Sequence, residues 1–240
     1  MQLGYPHLHF QSTDSTNAQA KRLAQDGAPH GTTVSAAFQT AGRGRNGNSW
    51  TAPEGSSLLY SLLLRGPVDQ LTPLRIGLAT CNLVAAHFAD PSSVQLKWPN
   101  DVLIDGRKVA GILVEANPGQ EWTVVGVGLN AALELDSVPL ELRDTVATLD
   151  LAQPDIAALV SDLTSCIAAA LKLNSQDLST SLNRLDALAG HDVTWRAGGV
   201  AQQGRAAGIT VRGALRVEQG EGITELTSGE VAMVRSTNGL

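Results

Sequence analysis

Positive charge is in short supply in this chain: 17 Lys and Arg stand against 23 Asp and Glu over 240 residues, leaving a formal charge of −6. A broad basic face able to neutralise a run of phosphates is thereby excluded, so nucleic acid is not expected as a partner and any anion site has to be local. Cysteine is as scarce. Cys81 and Cys166 lie far apart without CxxC spacing or a Cys/His cluster, which argues against a disulfide framework and a zinc site and reads both as small hydrophobes buried in helices. No run of about eighteen apolar residues occurs, and "MQLGYPHLHFQSTDSTN" lacks the basic-then-apolar order of a leader, so no membrane span is expected and the cytoplasm is the expected location. What remains is an ordinary globular composition, 43% hydrophobic and 17% charged, long enough for one sizeable core and a second small domain.

Periodicity divides the chain. A short helix is expected after Asp14 and Ser15, through "TNAQAKRLAQ" to Gly27, followed by a strand in "TTVSAAFQ", where Val34, Ala36 and Phe38 alternate. "SLLYSLLL" reads as a buried strand. Leu74, Leu78, Cys81, Ala85 and Phe88 recur at helical spacing from Pro73, with Pro91 as the stop. "SVQLKW", the two halves of "VLIDGRKVAGILVEA" joined through Asp105-Gly106, and "EWTVVGVGLN" supply further strands. Two helices follow, one opened by Pro154 with Ile156, Leu159, Leu163 and Ile167 on a face, the next marked by Leu178, Leu182 and Leu185. Past "LAGHD" only short strands and glycine turns remain. The expectation is an α+β domain over residues 1–187, with a mixed, largely antiparallel sheet and packed helices, and a small C-terminal β-barrel over 188–240.

"QTAGRGRNGNSW" carries Gly42, Gly44 and Gly47 at G-x-G-x-x-G spacing, as a dinucleotide-binding turn would. That reading needs a helix after the glycines, and here "NSWTAPEGSSLLY" breaks any helix and leads into a strand. A flexible surface turn is the plain alternative. The glycines free backbone N–H groups for an anion, and Arg43 and Arg45 add guanidinium forks suited to phosphate oxygens. Trp50 could stack on a base or fill core.

"KWPND" crowds Lys97, Trp98, Pro99, Asn100 and Asp101 at the end of a strand before a hairpin. Pro99 restrains the backbone and favours an extended Trp98, so Lys97 and Asn100 are held in a defined relation. "STN" at residues 15 to 17, "QTAGRGRNG", "KWPND", "GRKVAGILVE" and "VVGVGLN" occur in this order, and together they resemble the catalytic domain of biotin protein ligases, with "GALRVEQGEGITELTSGEV" resembling that family's C-terminal SH3-like barrel. The fold implied is the class II synthetase and biotin ligase type.

The resemblance implies a ligase that uses ATP, with Mg²⁺, to convert biotin to biotinyl-5′-AMP and then modifies one lysine of a biotin carboxyl carrier domain. By resemblance, Arg45 and Lys97 are the catalytic candidates. Ser15, Thr16, Asn17, Gln39, Gly42, Arg43, Gly44 and Gly111, with those two, would hold biotin. Arg43, Arg45, Trp50, Lys97, Asn100 and Asn130 would face ATP and the adenylate. Metal ligands are unassigned, and Lys108 is left between ligand contact and strand-end charge. Asp101 is read as orienting Lys97 or a metal or, slightly favoured, as capping the turn. His87 and His191 lie in no matched motif and are not expected to be catalytic. Two departures stand out: Asn46 where a further basic residue is usual, with Asn48 also neutral, and "GSSLLY" for "GxNLY". The family's repressors carry an N-terminal helix-turn-helix, and the motifs here begin by residue 15, so DNA binding is not expected. A lipoate-attaching enzyme and a non-catalytic biotin-binding module are the other classes.

Overall fold

A computed structural model describes residues 3–67, 69–220 and 222–234. Positions 68 and 221 and both ends of the two expected domains, residues 1–2 and 235–240, lie outside the described residues.

Twelve strands and four helices are present among the described residues: β1 His7–Thr13, α1 Thr16–Gln25, β2 Thr33–Gln39, β3 Ser57–Arg65, α2 Thr72–Ala85, β4 Val94–Lys97, β5 Asp101–Ile104, β6 Arg107–Asn117, β7 Trp122–Asn130, α3 Ile156–Ala170, α4 Ser175–Leu185, β8 Asp192–Ala197, β9 Val200–Ile209, β10 Leu215–Gln219, β11 Gly222–Leu226 and β12 Ala232–Met233. The large sheet runs β1-β2-β3-β7-β6-β5-β4. Only β1 and β2 are parallel; every other pair is antiparallel, as expected for a mixed sheet of this kind.

The period of two decides what each face does. Leu58, Tyr60 and Leu62 of β3 and Val125, Val127 and Leu129 of β7 point to one side, where α2 and α3 cover them to form the main core. Each such fully buried side chain contributes about 1.5–3 kcal/mol. On the other side α1, through Ala20 and Ala24, packs on a smaller cluster of Val34, Leu63, Trp122 and Val124. The rest of that face, at Leu59, Gly126 and Gly128, carries no helix and lines a cavity.

Helix ends follow local chemistry. Asp155 caps α3 by accepting from the Ala158 N–H, and Arg75, nearly buried, donates to the last carbonyls of that helix region, Ala170 and Leu173. Ser15 stands at the N-cap of α1 without a side-chain cap bond, and the neighbouring Asp14 accepts from the Ser15 N–H and pairs with Arg22. Helix α2 ends at Ala85, short of Pro91, so Phe88 lies beyond the helix it was expected to extend.

The C-terminal module, expected as a small β-barrel, is an antiparallel sheet ordered β11-β10-β9-β8-β12, with no ladder joining its two ends among the described residues. It is docked to the large domain by specific bonds: the Trp98 indole N–H donates to the Gly213 carbonyl and the Ser179 hydroxyl to the Ile209 carbonyl. Cys81 is buried in α2, its thiol pushed up to about 12 by desolvation. Cys166 in α3 is only half-buried, because α3 turns that position towards the rim of its apolar face, so the expectation of two buried cysteines holds for one.

Candidate active site

The strand β2 delivers the chain into the glycine-rich loop, and β3 takes it away; between them stands a single 3₁₀ turn, Arg45–Gly47, where a dinucleotide fold would need a helix. Asn46 occupies the left-handed region at φ 55° and Gly47 at φ 79°, which folds the loop back so that Arg43 bridges to Ser49. Gly42 has no room for a side chain, since a Cβ there would run into the Trp50 carbonyl.

Under this loop lies a small cavity of about 50 Å³, beside a wider cleft of about 710 Å³ that shares Arg43, Gly44, Arg45 and Asn100 with it. The floor of the cavity is the uncovered face of the sheet. Gly126 and Gly128 occur at i and i+2 in β7 and so share that face, and Gly111 of β6 pairs with Gly128. The Trp50 indole rests on this floor: a Cβ on Gly128 would lie 2.5 Å from its ring and one on Gly111 3.1 Å.

One end of the cavity is neutral and polar. The Gln39 side-chain oxygen accepts from the Thr16 backbone N–H at 2.7 Å and faces the Thr16 hydroxyl at 3.1 Å. The Ser61 hydroxyl lies 2.8 Å from Thr16 Oγ1 and 2.6 Å from Asn17 Oδ1. Ser15, Thr16 and Asn17 are buried. These groups lock one another's rotamers, so a ligand would meet donors and acceptors already oriented.

The other end is cationic. Arg45 Nη1 donates to Asn100 Oδ1 at 2.6 Å, Asn100 Nδ2 donates to Asp101 Oδ1 at 3.0 Å, and Lys108 Nζ pairs with the same Asp101 oxygen at 2.7 Å. Asn100 and Asp101, the last two residues of "KWPND", therefore splint two cations from different elements. Lys108 reaches this place through a β-bulge. Asp101 faces Gly111 and Val102 faces Ala110, but Leu103 faces Lys108, so Val109 is the extra residue and joins Ala110 in the core. Strict alternation back from Gly111 would have sent Lys108 into the core side; the bulge returns it to the ligand face. Its ammonium also stands 5.8 Å from the centre of the Trp50 ring.

Of the expected residues, Ser15, Thr16, Asn17, Gln39, Arg43, Gly44, Arg45, Trp50, Asn100 and Gly111 line this cavity, and Gly42 lines the wider cleft that adjoins it under the loop. Lys97 and Asn130 line neither. Lys97 shares the ligand face, but it pairs with Asp101, which pairs with Gly111, and two strand spacings separate it from the floor by about 10 Å. Asn130 is 5% exposed and its amide donates to the Ala147 carbonyl, stitching the end of β7 to a neighbouring segment. The cavity also takes Lys108, Gly126 and Gly128. Paired glycines inside an otherwise buried strand, "VVGVG", were the available sign of a close ligand approach; the bulge that aims Lys108 has no such sign. His87 bonds to the Leu83 carbonyl, away from the cavity.

An open sheet face floored by glycine, with neutral polar groups at one end and splinted cations at the other, suits an enzyme whose small ligand is polar at one end and anionic at the other. The chain belongs to the biotin/lipoate A/B protein ligase family: a model of that family matches residues 9–131, and one of the biotin protein ligase C terminal domain matches residues 190–234. Among curated relatives, the bifunctional ligase/repressor BirA of Bacillus spizizenii is 32% identical over 95% of this chain and 74% of its own. The biotin–[acetyl-CoA-carboxylase] ligase of Mycobacterium tuberculosis is 40% identical over 63% of this chain and 58% of its own. The structure of biotin protein ligase from Aquifex aeolicus in complex with biotin and ATP superimposes with a TM-score of 0.81 at 28% identity, covering 97% of this chain and all of that one.

Proposed function

We propose that the protein activates biotin with ATP, releasing pyrophosphate, and transfers the biotinyl group from biotinyl-5′-AMP to a lysine of a biotin carboxyl carrier domain. The observation that carries this reading is the joint presence, in one cavity, of the amide-rich pocket at Thr16, Asn17 and Gln39 and the cation pair Arg45 and Lys108. A fused ureido ring calls for donors and acceptors in a closed pocket, and a carboxylate attacking an α-phosphate calls for positive charge where two anions meet.

In this reading the biotin ring sits against the neutral end, where Thr16, Asn17 and Gln39 meet it, and its carboxylate reaches Lys108. Lys108, held by Asp101, lowers the repulsion between carboxylate and phosphate and then stabilises the charge that develops on the phosphoryl oxygens. Arg45, held by Asn100, covers the mixed anhydride from the loop side and keeps water away. Trp50 offers an apolar face to the adenine. The acceptor lysine then attacks the acyl carbon as a neutral amine, and AMP leaves with the bonding electrons.

Mg²⁺ would supply further charge neutralisation at the phosphates. Among the described residues no group of three or more His, Cys, Asp or Glu is placed to hold a metal, and the Asp101 carboxylate already serves Lys108. The donor set fits a Mg²⁺ carried mainly by phosphate oxygens and water. The net charge of −6 supports a ligase without a DNA-binding role. No helix among the described residues is long and apolar enough to cross a membrane.

Lipoate remains the rival substrate in this family, and an acid quench distinguishes them. With ATP and Mg²⁺, biotin should give one acyl-adenylate and one pyrophosphate per site, and lipoate none. Adenylation of lipoate in preference to biotin would refute the assignment.

A further inference from the structure

The glycine-rich loop carries two arginines, and they are held by different partners. Arg45 leans on a neutral amide oxygen, that of Asn100. Arg43 is engaged by a full carboxylate: its Nη1 donates to Glu115 Oε1 at 3.2 Å and its Nη2 to Oε2 at 2.7 Å. The same carboxylate takes Lys21 Nζ at 2.8 Å on Oε1 and Asn17 Nδ2 at 3.0 Å on Oε2. Glu115 stands on β6 on the ligand face, two positions beyond Leu113 and four beyond Gly111. It therefore ties three pieces together: the strand that floors the cavity, the helix α1 that supplies Asn17, and the loop that covers both.

We infer that Glu115 is a positioning residue: it seats the glycine-rich loop through Arg43, so that Arg45 and Lys108 are left as the cations that meet the reacting phosphate. A bidentate arginine and carboxylate fix an angle as well as a distance, and the guanidinium so engaged is not free to grip a second anion in the same posture. Arg43 was expected at the phosphates; in this arrangement it anchors the loop. The pair is partly exposed, with 38% of the Arg43 side chain and 25% of that of Glu115 accessible, so it is strong enough to hold a loop and weak enough to let one open. Burial opposes ionisation of Glu115, but the bonds from Lys21 and Asn17 and the charge of Arg43 outweigh it and hold the carboxyl below its ordinary range. The seat is thus charged throughout the neutral range.

The kinetic part of this inference rests on the proposed acyl-adenylate chemistry; the mechanical part does not. Trypsin can cut the loop after Arg45 in the protein alone, and this reads loop opening without any substrate. E115Q, R43Q and the double variant should each cleave there about fivefold faster than the parent. In the presence of ATP, Mg²⁺ and biotin they should release biotinyl-adenylate about fivefold faster. The double variant should be no worse than either single, because both break one link. K21A, which leaves the Arg43 pair intact, should stay within twofold of the parent in both readouts. Parent-like cleavage in E115Q and R43Q, or effects that multiply in the double variant, would overturn the inference. Should E115Q lose its far-ultraviolet signature, R43Q alone decides, since its exposed side chain is dispensable for folding. A parent protein that forms no adenylate would refute the proposed function while the trypsin comparison still tests the seat.

Discussion

Lys108 and Asp101 face each other across a β-bulge, Nζ to Oδ1 at 2.7 Å, and the bulge is what puts the lysine on the ligand face of the sheet. Lys97, the lysine that the "KWPND" motif advertises, sits one strand further out and lines no part of the cavity. Lys108→Met should therefore lower the rate of adenylate formation about a hundredfold or more while changing biotin affinity much less, because the charge acts on the transition state. Lys97→Met should cost under tenfold in the same assay. Pyrophosphate release under single-turnover conditions checks both; the reverse order would return the catalytic role to Lys97.

The floor of the cavity is tolerant of nothing larger than glycine. A Cβ at Gly128 would press into the Trp50 ring at 2.5 to 2.8 Å, so Gly128→Val should lift the indole away. Valine suits a strand, and the global melting temperature should change little. Acrylamide quenching of Trp50 should rise, measured with the other three tryptophans changed to Phe, and biotin affinity should fall at least tenfold.

A second glycine is structural. Gly77 lets α2 lie directly on β4, where a Cβ would meet Leu96 Cδ1 at 2.7 Å, and Leu96 is fully buried. Gly77→Val should destabilise the fold by about 2 kcal/mol through overpacking, read from the urea midpoint at unchanged slope.

Asp186 joins the two modules: its Oδ1 accepts from the Leu188 N–H, its Oδ2 is buried with no partner among the described residues, and the adjacent Ala187 N–H bonds to the Leu96 carbonyl. Burial raises its pKa, against the Leu188 bond and the nearby His191. A carboxyl that titrates higher when folded favours the folded state in its protonated form. Its contribution is fully present below the ordinary carboxylate range and is lost as pH rises through the raised value. Asp186→Asn should therefore be more stable than the parent at pH 8, with the difference shrinking towards pH 4. Thermal melts across that range check the sign.

Periodicity made most of the large sheet and its helices legible, because β3, β7, α2 and α3 are buried on faces that the period of two or 3.6 displays in their sequences. It failed where burial is one-sided or geometry departs from strict repetition. Strand β1, "HLHFQST", has only Leu8 and Phe10 as apolar residues, and as an edge strand it needs no more. Phe88 continued the helical spacing of α2 but packs from the turn beyond it. The neutral end of the cavity was legible from "STN" and Gln39. The cationic end was legible only in part, since a bulge reassigns Lys108 from one face to the other and nothing in the residue types announces it. Glu115 went unnoticed for a similar reason: a lone carboxylate at the end of an apolar strand looks like a solvated strand end until a loop residue from 72 positions earlier closes on it.

The central claim is that this cavity makes and transfers biotinyl-adenylate. Mass spectrometry of a biotin carboxyl carrier domain incubated with the protein, ATP and Mg²⁺ tests it most directly, with biotin in one reaction and lipoate in another. The account predicts a mass gain of one biotinyl group on a single lysine, lost when Lys108 is changed to Met, and no gain with lipoate. A lipoyl adduct, or no adduct with either acid, would contradict it.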